Sequence, residues 1–383
     1  MNILAHLRGF KPLAVTPSRV VLAKGLDLYT TDHRLRGLRH LGRIPIRSAR
    51  HTLARFRLFE RILRLSVTSM IAVDDRSAFL NIGASIYRVD LDSGDIVLDF
   101  VIPDGRKALG LSVTTLPGER GDALVFGDYF ANYAGPMLRR GAAIESQGHV
   151  NIWARTILDP DRDGREAKPD WRVLDQFPID EIDHVHAVLG FNGGAELYAL
   201  LGDTGPNVGF WKWDEAEGGF QPYAVGRQAL RSTWASLHDG ALLYATDTQL
   251  ENNFLMKLTP EAAAPEKIAP IAGSSIYAQT RRNGVIFSSS VEPGRPSGNS
   301  LRDIFERRPG PGIFSNRSVV YSYDFETGRL AEILSAEKDW LPLRLAQFGS
   351  FMFPSGLEQL DGVAIMYGNA VKDFDDVCIL VKT

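Results

Sequence analysis

A short pattern occurs three times in the chain: an aromatic residue, then Asp three positions later, then Gly four positions after that. The copies are Tyr87-Asp90-Gly94, Trp211-Asp214-Gly218 and Tyr321-Asp324-Gly328. The aromatic residue fits a half-buried strand, the Asp side chain can accept hydrogen bonds from the backbone of a turn, and Gly supplies the positive φ that lets the next strand return. Each copy therefore predicts a β-hairpin, and hairpins repeated along a chain favour a β-propeller.

Similar strand-and-turn units follow one another along all 383 residues without a Pro/Ser-rich linker, so we expect one propeller domain over residues 1–383. The expected fold class is all-β, with six or seven blades. The expected units cover residues 19–45, 66–103, 111–178, 184–226, 230–271, 274–339 and 345–383. Residues 1–18 are interpreted as an N-terminal extension. The number of blades depends on whether the first and last units close one blade together.

Basic residues are concentrated at the start of the chain. Residues 1–65 hold 14 Lys or Arg against 3 Asp or Glu, whereas the rest of the chain holds 29 against 43. Within this part, residues 48–65 place Leu and Phe at three- and four-residue spacings with Arg between them, which predicts a basic amphipathic helix. Such a helix can pack on one end of the propeller with its arginines facing acidic blade edges, or it can contact an anionic membrane surface or a protein partner. Nucleic acid is not expected, because the rest of the chain is acidic and would repel phosphate.

Cysteine content and the N-terminus bear on the compartment. A single cysteine, Cys378, excludes an intrachain disulfide framework and fits a reducing environment. The N-terminus shows no convincing signal peptide, and no run approaches the roughly 18–20 apolar residues that span a bilayer. We therefore expect a cytoplasmic protein.

Two histidines separated by one residue, His184 and His186, are the most distinctive candidates for chemistry. On a strand, residues two apart share a face and lie about 7 Å apart, so both imidazoles should point the same way. The pair could form half of a divalent-metal site, provide an acid/base group and an orienting donor, or be a hydrogen-bonded structural pair. In the metal interpretation, further ligands would have to come from other blades.

Four acidic residues follow apolar strands in four successive units: Asp128, Asp203, Asp247 and Glu292. In a radial fold such strand ends could converge on a central mouth. Crowded carboxylates have raised pKa values and suit general acid/base catalysis or the binding of sugar hydroxyls. The alternative for each one is a turn former that accepts hydrogen bonds from local backbone N–H groups. The aromatic residues nearby could stack on sugars, although most should belong to the blade core.

The order of short motifs resembles a group of poorly characterised bacterial propellers described as sialidase-like or Asp-box proteins. The motifs, from Val20 to Tyr367, include GDYFAN, DHVHAV, LYALLGDTG, FWKWD, RSTW and LLYATDTQLENN. The resemblance implies a propeller that acts on or binds a bacterial glycan or oligosaccharide, in some members within surface-polysaccharide pathways. It implies substrate-binding roles for residues in and around these motifs, namely Tyr129, Asn132, Trp211, Arg231, Trp234 and Asn252.

The departures from that group's motifs are also informative. No unit keeps every position of an Asp box, and Asp128 stands where the group has Glu. The Arg43-Ile44-Pro45 segment lies at the end of a strand unit rather than at its beginning, so sialidase activity itself is not predicted.

Two hypotheses follow. The first is a carbohydrate-active enzyme of the glycoside hydrolase kind, with the four acidic residues as acid and base and the two histidines positioning a substrate or metal. The second is a non-catalytic propeller that binds a glycan or a protein.

Overall fold

The computed structural model describes residues 3–46, 56–119, 121–129, 148–157, 170–179, 181–182, 184–260, 262, 264–294, 297 and 300–383. The strands are β1 Ile3–Arg8, β2 Lys11–Val15, β3 Val20–Lys24, β4 Asp27–Thr31, β5 Arg39–Arg43, β6 Ser69–Ala72, β7 Ser77–Ile82, β8 Ser85–Asp90, β9 Ile96–Val101, β10 Lys107–Ala108, β11 Ser112–Thr115, β12 Asp122–Tyr129, β13 His149–Thr156, β14 Trp171–Pro178, β15 Val185–Phe191, β16 Glu196–Leu201, β17 Gly209–Asp214, β18 Gly219–Val225, β19 Ser236–His238, β20 Ala241–Ala245, β21 Phe254–Leu258, β22 Glu266–Pro270, β23 Tyr277–Arg281, β24 Gly284–Ser288, β25 Arg317–Asp324, β26 Leu330–Glu337, β27 Ser350–Met352, β28 Val363–Asn369 and β29 Val377–Lys382. The described part of the chain has two α-helices, α1 Arg57–Leu63 and α2 Ser300–Ile304, and short 3₁₀ turns at Pro103–Gly105, Asn192–Gly194, Gln228–Leu230 and Leu357–Gln359.

The strands form seven antiparallel sheets that are arranged as the blades of a β-propeller, which confirms the predicted fold class. Blades 1 and 2 are β2–β5 and β6–β9, and blades 4, 5 and 6 are β15–β18, β19–β22 and β23–β26. Blade 3 contains β10–β14, and its innermost position is divided between β10 and β11, which both pair with β12. Blade 7 consists of β27, β28, β29 and β1.

Pairing between the two ends of the chain closes the ring. Strand β1 pairs antiparallel with β29, so that Leu7 lies opposite Cys378 and Arg8 lies opposite Val377. Blade 7 therefore combines the first strand of the chain with its last three, and the number of blades is seven rather than six. The interpretation of residues 1–18 as an extension is wrong, because β1 and β2 are the outermost strand of blade 7 and the innermost strand of blade 1.

Burial explains which strands lie at the centre of each blade. The second strands, such as SAFLNI in β7 and ALLYA in β20, are nearly continuous apolar runs that are buried on both faces, whereas outer strands such as β9 are partly exposed. Neighbouring blades pack their apolar faces together. Phe79 of blade 2 packs with Phe126 of blade 3, and Tyr198 of blade 4 packs with Tyr244 of blade 5. Free cysteine Cys378 is part of this buried core.

Because every blade has the same strand order, its loops divide between two ends of the propeller. The upper face carries the connections between blades and the loops between the second and third strands of each blade. The lower face carries the remaining turns. Between these ends, the innermost strands enclose an axial cavity of about 530 Å³ lined by residues such as Ile71, Val113, Leu189 and Ala278.

The repeated aromatic-Asp-Gly pattern forms turns on the lower face. In all three copies the Gly N–H donates to the Asp carbonyl at 2.9–3.0 Å, and Gly94, Gly218 and Gly328 have φ values of 82°, 65° and 63°. The Asp carboxylates accept backbone N–H groups inside the turn: Oδ1 of Asp214 is 2.8 Å from the backbone nitrogen of Ala216. The predicted hairpins are therefore confirmed, and each of them connects the third strand of a blade to the fourth.

Helix α1 belongs to the chain segment that connects blades 1 and 2 on the upper face, and its arginines contact blade 7 and the segment that precedes it. It is shorter than the predicted helix of residues 48–65, of which residues 48–55 lie outside the described residues. Arg57 binds Asp375 at 2.7 Å, and the buried Arg61 binds Asp339 at 2.5 Å and the carbonyl of Ala346 at 2.9 Å. The expectation that arginines of this helix face acidic blade edges is confirmed. None of the helices in the described ranges is long and apolar enough to cross a membrane.

Candidate functional site

The four acidic residues singled out from the sequence all lie at the upper ends of second strands. Asp128 is in β12, and Asp203, Asp247 and Glu292 follow β16, β20 and β24 in blades 4, 5 and 6. Their common location follows from the identical strand order of the blades. Their surroundings differ: Asp203, Asp247 and Glu292 belong to one buried polar cluster, whereas Asp128 does not.

Asp203 is the centre of this cluster. Its Oδ1 atom lies 2.9 Å from Nη2 of Arg231, 3.1 Å from Nε2 of His186 and 3.5 Å from Nε2 of His184. The same Arg231 nitrogen is 3.3 Å from Oδ2 of Asp247, so one guanidinium connects the carboxylates of blades 4 and 5. Gln228 adds a contact of 2.8 Å from Nε2 to the carbonyl of Asp203.

The two histidines are closer together than a regular strand would place them. The pairing of β15 with β16 shifts between Val185 and Ala187, which leaves His186 as the extra residue of a β-bulge. A bulge re-aims side chains locally. The ring centroids of His184 and His186 lie 4.7 Å apart, and both residues are buried.

Tyr129 joins the cluster from blade 3. Its ring meets that of His184 edge to face, with centroids 4.7 Å apart. The close approach of β12 to β15 requires glycine at position 127, because a Cβ atom there would lie 2.1 Å from Cβ of Val185. Gly127 therefore allows the neighbouring strand to bring Tyr129 against the histidine pair.

Glu292 of blade 6 differs from the other carboxyl groups in its protonation. Burial raises its pKa, and the nearby charge of Asp247 raises it further, to about 7. The hydroxyl of Ser290 lies 2.6 Å from Oε1 of Glu292 and 3.1 Å from the carbonyl of Ser274. The Ser290 hydroxyl donates to Glu292 and acts to lower its pKa, as Arg231 does, but burial outweighs both.

The neighbouring groups have shifted pKa values with identifiable causes. Burial acts to raise the pKa of Asp203, but His184, His186 and Arg231 outweigh burial and hold it well below its ordinary value. Burial lowers the pKa of His184, with Asp203 acting against it. Burial raises the pKa of Tyr277 to about 12, with Glu292 adding to the effect. At neutral pH the site therefore combines an ionised Asp203 with a neutral His184, while Glu292 is close to its midpoint.

Three buried polar atoms of the cluster have no hydrogen-bond partner among the described residues. They are Nδ1 of His184, Nε of Arg231 and Oδ1 of Asp247. A buried polar atom without a partner costs about 1–3 kcal/mol, so these three atoms leave hydrogen-bonding capacity in the cluster that the protein itself does not use.

The structure gives Asp128 a different environment. Its Oδ2 atom is bound by Arg106 at 2.6 Å and by the backbone and side-chain nitrogens of Asn151 at 3.1 and 3.0 Å, and its Oδ1 accepts from Nε1 of Trp153 at 2.9 Å. These donors hold the carboxylate within blade 3. Asp128 therefore has a structural role within blade 3, but not that of a turn former, because its donors lie 22–25 residues away.

Most of the other substrate-binding candidates do not point into the cluster. Trp211 packs on Phe177 in the core between blades 3 and 4, and Trp234 is buried against Phe287. Asn252 is exposed. Its neighbour Asn253 is fully buried and binds the carbonyls of Thr248, at 2.7 Å, and of Gly312, at 3.0 Å. Asn132 lies outside the described residues. Arg231 and Tyr129 are the candidates that reach the cluster.

Sequence reasoning missed Tyr277 and Ser290, which both come from blade 6. Tyr277 begins innermost strand β23, the position that corresponds to the start of β15 beside His186. A comparison of the first residues of successive innermost strands would have identified Tyr277 as a candidate.

No protein-family model matches the chain, and no curated protein matches it. Among solved structures, it is similar to a chain in the crystal structure of the mitotic checkpoint complex, with a TM-score of 0.52 and 11% identity over 100% of this chain and 94% of that one. It also matches the extracellular domain of a protein from B. thetaiotaomicron described as a one-component system, with a TM-score of 0.48 and 9% identity over 100% of this chain and 40% of that one. Likenesses at such low identity concern the fold alone. The fold and the cluster together define a seven-bladed β-propeller with a buried polar site at its upper face.

Proposed function

We propose that this chain is a carbohydrate-active enzyme that cleaves a glycosidic linkage of a bacterial glycan at the upper mouth of its channel. The observation that carries the proposal is the buried Glu292, with a pKa of about 7, beside the carboxylate of Asp247. Glycosidic bond cleavage commonly uses two neighbouring carboxyl groups, one protonated and one ionised. Nη2 of Arg231 contacts Oδ2 of Asp247, while burial favours the protonated form of Glu292.

In this proposal each residue has a defined role. Glu292 donates its proton to the oxygen of the departing sugar. Asp247 acts as general base through Oδ1, because its Oδ2 is bound to Arg231. It takes a proton from a water molecule whose oxygen bonds to the sugar carbon as the bond to the departing sugar breaks. Tyr129 and Tyr277 border the same group of charges and supply hydroxyl and ring contacts for sugars.

The proposal is tested with purified full-length protein and fragments of bacterial polysaccharides, with product analysis by mass spectrometry. Glu292→Gln keeps the shape of the protonated carboxyl but has no proton to transfer, so kcat should fall by roughly 100-fold or more. Glu215→Gln, at an exposed position of a lower-face turn, is the matched control and should keep full activity. Binding of a fragment without turnover would instead favour the alternative function, a non-catalytic glycan- or protein-binding propeller.

A second part of the proposal is contact with an anionic lipid surface through helix α1. Arg57 and Arg61 of the helix contact carboxylates of the propeller. The helix and the residue before it expose apolar side chains on the upper face of the propeller, which also carries the polar cluster: Phe56, Leu58, Phe59 and Leu63. The excess of basic residues in positions 1–65 favours a negatively charged lipid surface. Co-sedimentation with phosphatidylserine vesicles tests this part, with pure phosphatidylcholine vesicles as the control.

A further inference from the structure

His184, His186 and Asp203 bring three potential metal ligands together. One ligand atom from each residue lies within 4.8 Å of the others, and all three residues are buried or nearly so. Strand β15 and the end of β16 supply them, so the third ligand comes from the same blade as the histidines. This corrects the sequence expectation that further ligands would have to come from other blades.

The hydrogen bond of His186 fixes which of its nitrogens faces the carboxylate. Nδ1 lies 2.8 Å from the backbone carbonyl of Ser232, which can only accept, so Nδ1 carries the proton of this bond. In a neutral imidazole Nε2 is then an acceptor, yet it lies 3.1 Å from Oδ1 of Asp203, which is also an acceptor. A cation between these two atoms would accept a lone pair from each of them.

Several features favour a metal cation. A metal-binding histidine usually donates its other N–H to a carbonyl or carboxylate, as His186 does to Ser232. Ligands about 2.0–2.1 Å from a tetrahedral Zn²⁺ lie roughly 3.3–3.4 Å from one another. The two imidazole nitrogens lie 3.1 and 3.5 Å from the Asp203 oxygen, which brackets that spacing.

The charges of the surroundings also attract a cation. Asp203 and Asp247 together carry two negative charges, and Arg231 compensates only one of them. The unpartnered Nδ1 of His184 and Oδ1 of Asp247 are further polar atoms at the same place.

We propose that His184, His186 and Asp203 bind one divalent first-row transition metal ion, with Zn²⁺ as the best fit to two imidazoles and a carboxylate. Three protein ligands leave a fourth position open, which is the arrangement of reactive rather than purely structural zinc sites. The inference goes beyond the proposed function and does not depend on it, because metal binding is measured without any glycan.

The experiment uses the purified full chain, stripped with chelator, incubated with Zn²⁺ and passed through a desalting column. Elemental analysis should find one Zn²⁺ per chain in the parent protein. Isothermal titration should show that Asp203→Asn and His186→Ala each weaken Zn²⁺ binding by roughly 100-fold or more. His40→Ala, with a side chain that is 55% exposed in blade 1, is the matched control and should retain full binding.

A second measurement separates lost binding from lost folding. Zn²⁺ should raise the Tm of the parent protein and of His40→Ala, but not that of Asp203→Asn, because only the folded state presents the three ligands together. Visible absorption of the Co²⁺-loaded protein should show the intense bands of a four-coordinate site. A parent protein that keeps no Zn²⁺ and shows no rise in Tm would overturn the proposal. Equal Zn²⁺ binding by the parent and by a folded Asp203→Asn would overturn it as well.

Discussion

Nη2 of Arg231 lies 3.3 Å from Oδ2 of Asp247, and both side chains are more than nine-tenths buried. The same nitrogen binds Asp203 at 2.9 Å, so removal of the guanidinium leaves two buried carboxylates without their shared cation. Because breaking a buried ion pair on one side costs about 3–5 kcal/mol, we expect Arg231→Met to lose a free energy of unfolding of that order. Urea denaturation monitored by tryptophan fluorescence measures the loss.

The control for Arg231→Met is Arg43→Met. Arg43 binds Asp27 at 2.8 Å, but its side chain is 56% exposed. Exposed ion pairs contribute about 0–1 kcal/mol, so this variant should unfold almost as the parent does. Similar losses of unfolding free energy in Arg231→Met and Arg43→Met would show that the buried ion pairs of Arg231 stabilise the fold no more than an exposed ion pair does.

The ionisation of Glu292 should make stability depend on pH. Its pKa of about 7 in the folded state is above that of an unfolded glutamate, about 4.3, so the folded state holds more protons than the unfolded state between these values. The contribution of Glu292 to stability is therefore fully present below pH 4 and is lost as pH rises through 7. Between pH 5 and pH 8 the loss should be roughly 2–3 kcal/mol.

Glu292→Gln cannot ionise and should lack this part of the pH dependence. The quantity to measure is the free energy of unfolding of the parent minus that of the variant, at pH 5 and at pH 8. A difference that is constant over this range would contradict the raised pKa. If Glu292 is also the proton donor in catalysis, kcat should decrease as pH rises above about 7, since the protonated form is then depleted.

The lower-face turns should affect stability without affecting the site. The carboxylate of Asp214 accepts backbone N–H groups of Ala216 and Glu217 at 2.8 and 3.1 Å, and Asp324 does the same for Thr327 at 2.8 Å. Asp214→Ala should therefore cost about 1 kcal/mol of unfolding free energy, as is usual for lost capping hydrogen bonds.

Metal content and activity should be unchanged in Asp214→Ala, because its turn lies at the opposite end of the blade from the cluster. Asp247→Ala in the next blade is the variant for comparison, because it removes a carboxylate of the polar cluster on the upper face. A large loss of metal content or of activity in Asp214→Ala would show that the two ends of a blade are coupled.

The fold was largely predictable because its signals are local. An Asp carboxylate that accepts backbone groups two and three residues ahead, followed by Gly at positive φ, acts within one turn, so the pattern around Asp90 or Asp324 can be interpreted without knowledge of the rest of the chain. Closure of the ring depends instead on β1 and β29, which are distant in sequence. For that reason the sequence alone is compatible with six or seven blades and does not distinguish the first strands from an N-terminal extension.

The site was only partly predictable for a related reason. The order of strands within each blade places Asp128, Asp203, Asp247 and Glu292 at one end of the propeller, but it does not determine their partners. Asp128 meets Trp153 and Arg106, whereas Asp203 meets the histidine pair, and these differences arise from side chains that arrive from other strands. The bulge at His186, which draws the two imidazoles together, likewise depends on the pairing of β15 with β16.

Helix α1 allows the two roles of its side chains to be separated. Phe56 is 64% exposed and its ring lies 6.3 Å from that of Phe59, so replacing both with Ser should reduce co-sedimentation with phosphatidylserine vesicles while leaving Tm nearly unchanged. Arg61→Gln should do the reverse: it removes contacts to Asp339 and to the carbonyl of Ala346, which should lower Tm. Vesicle binding that survives the double Ser replacement would contradict membrane contact through this helix. Its loss in a folded Phe56→Ser/Phe59→Ser protein would assign the contact to the apolar face, because the two arginines are already engaged with the propeller.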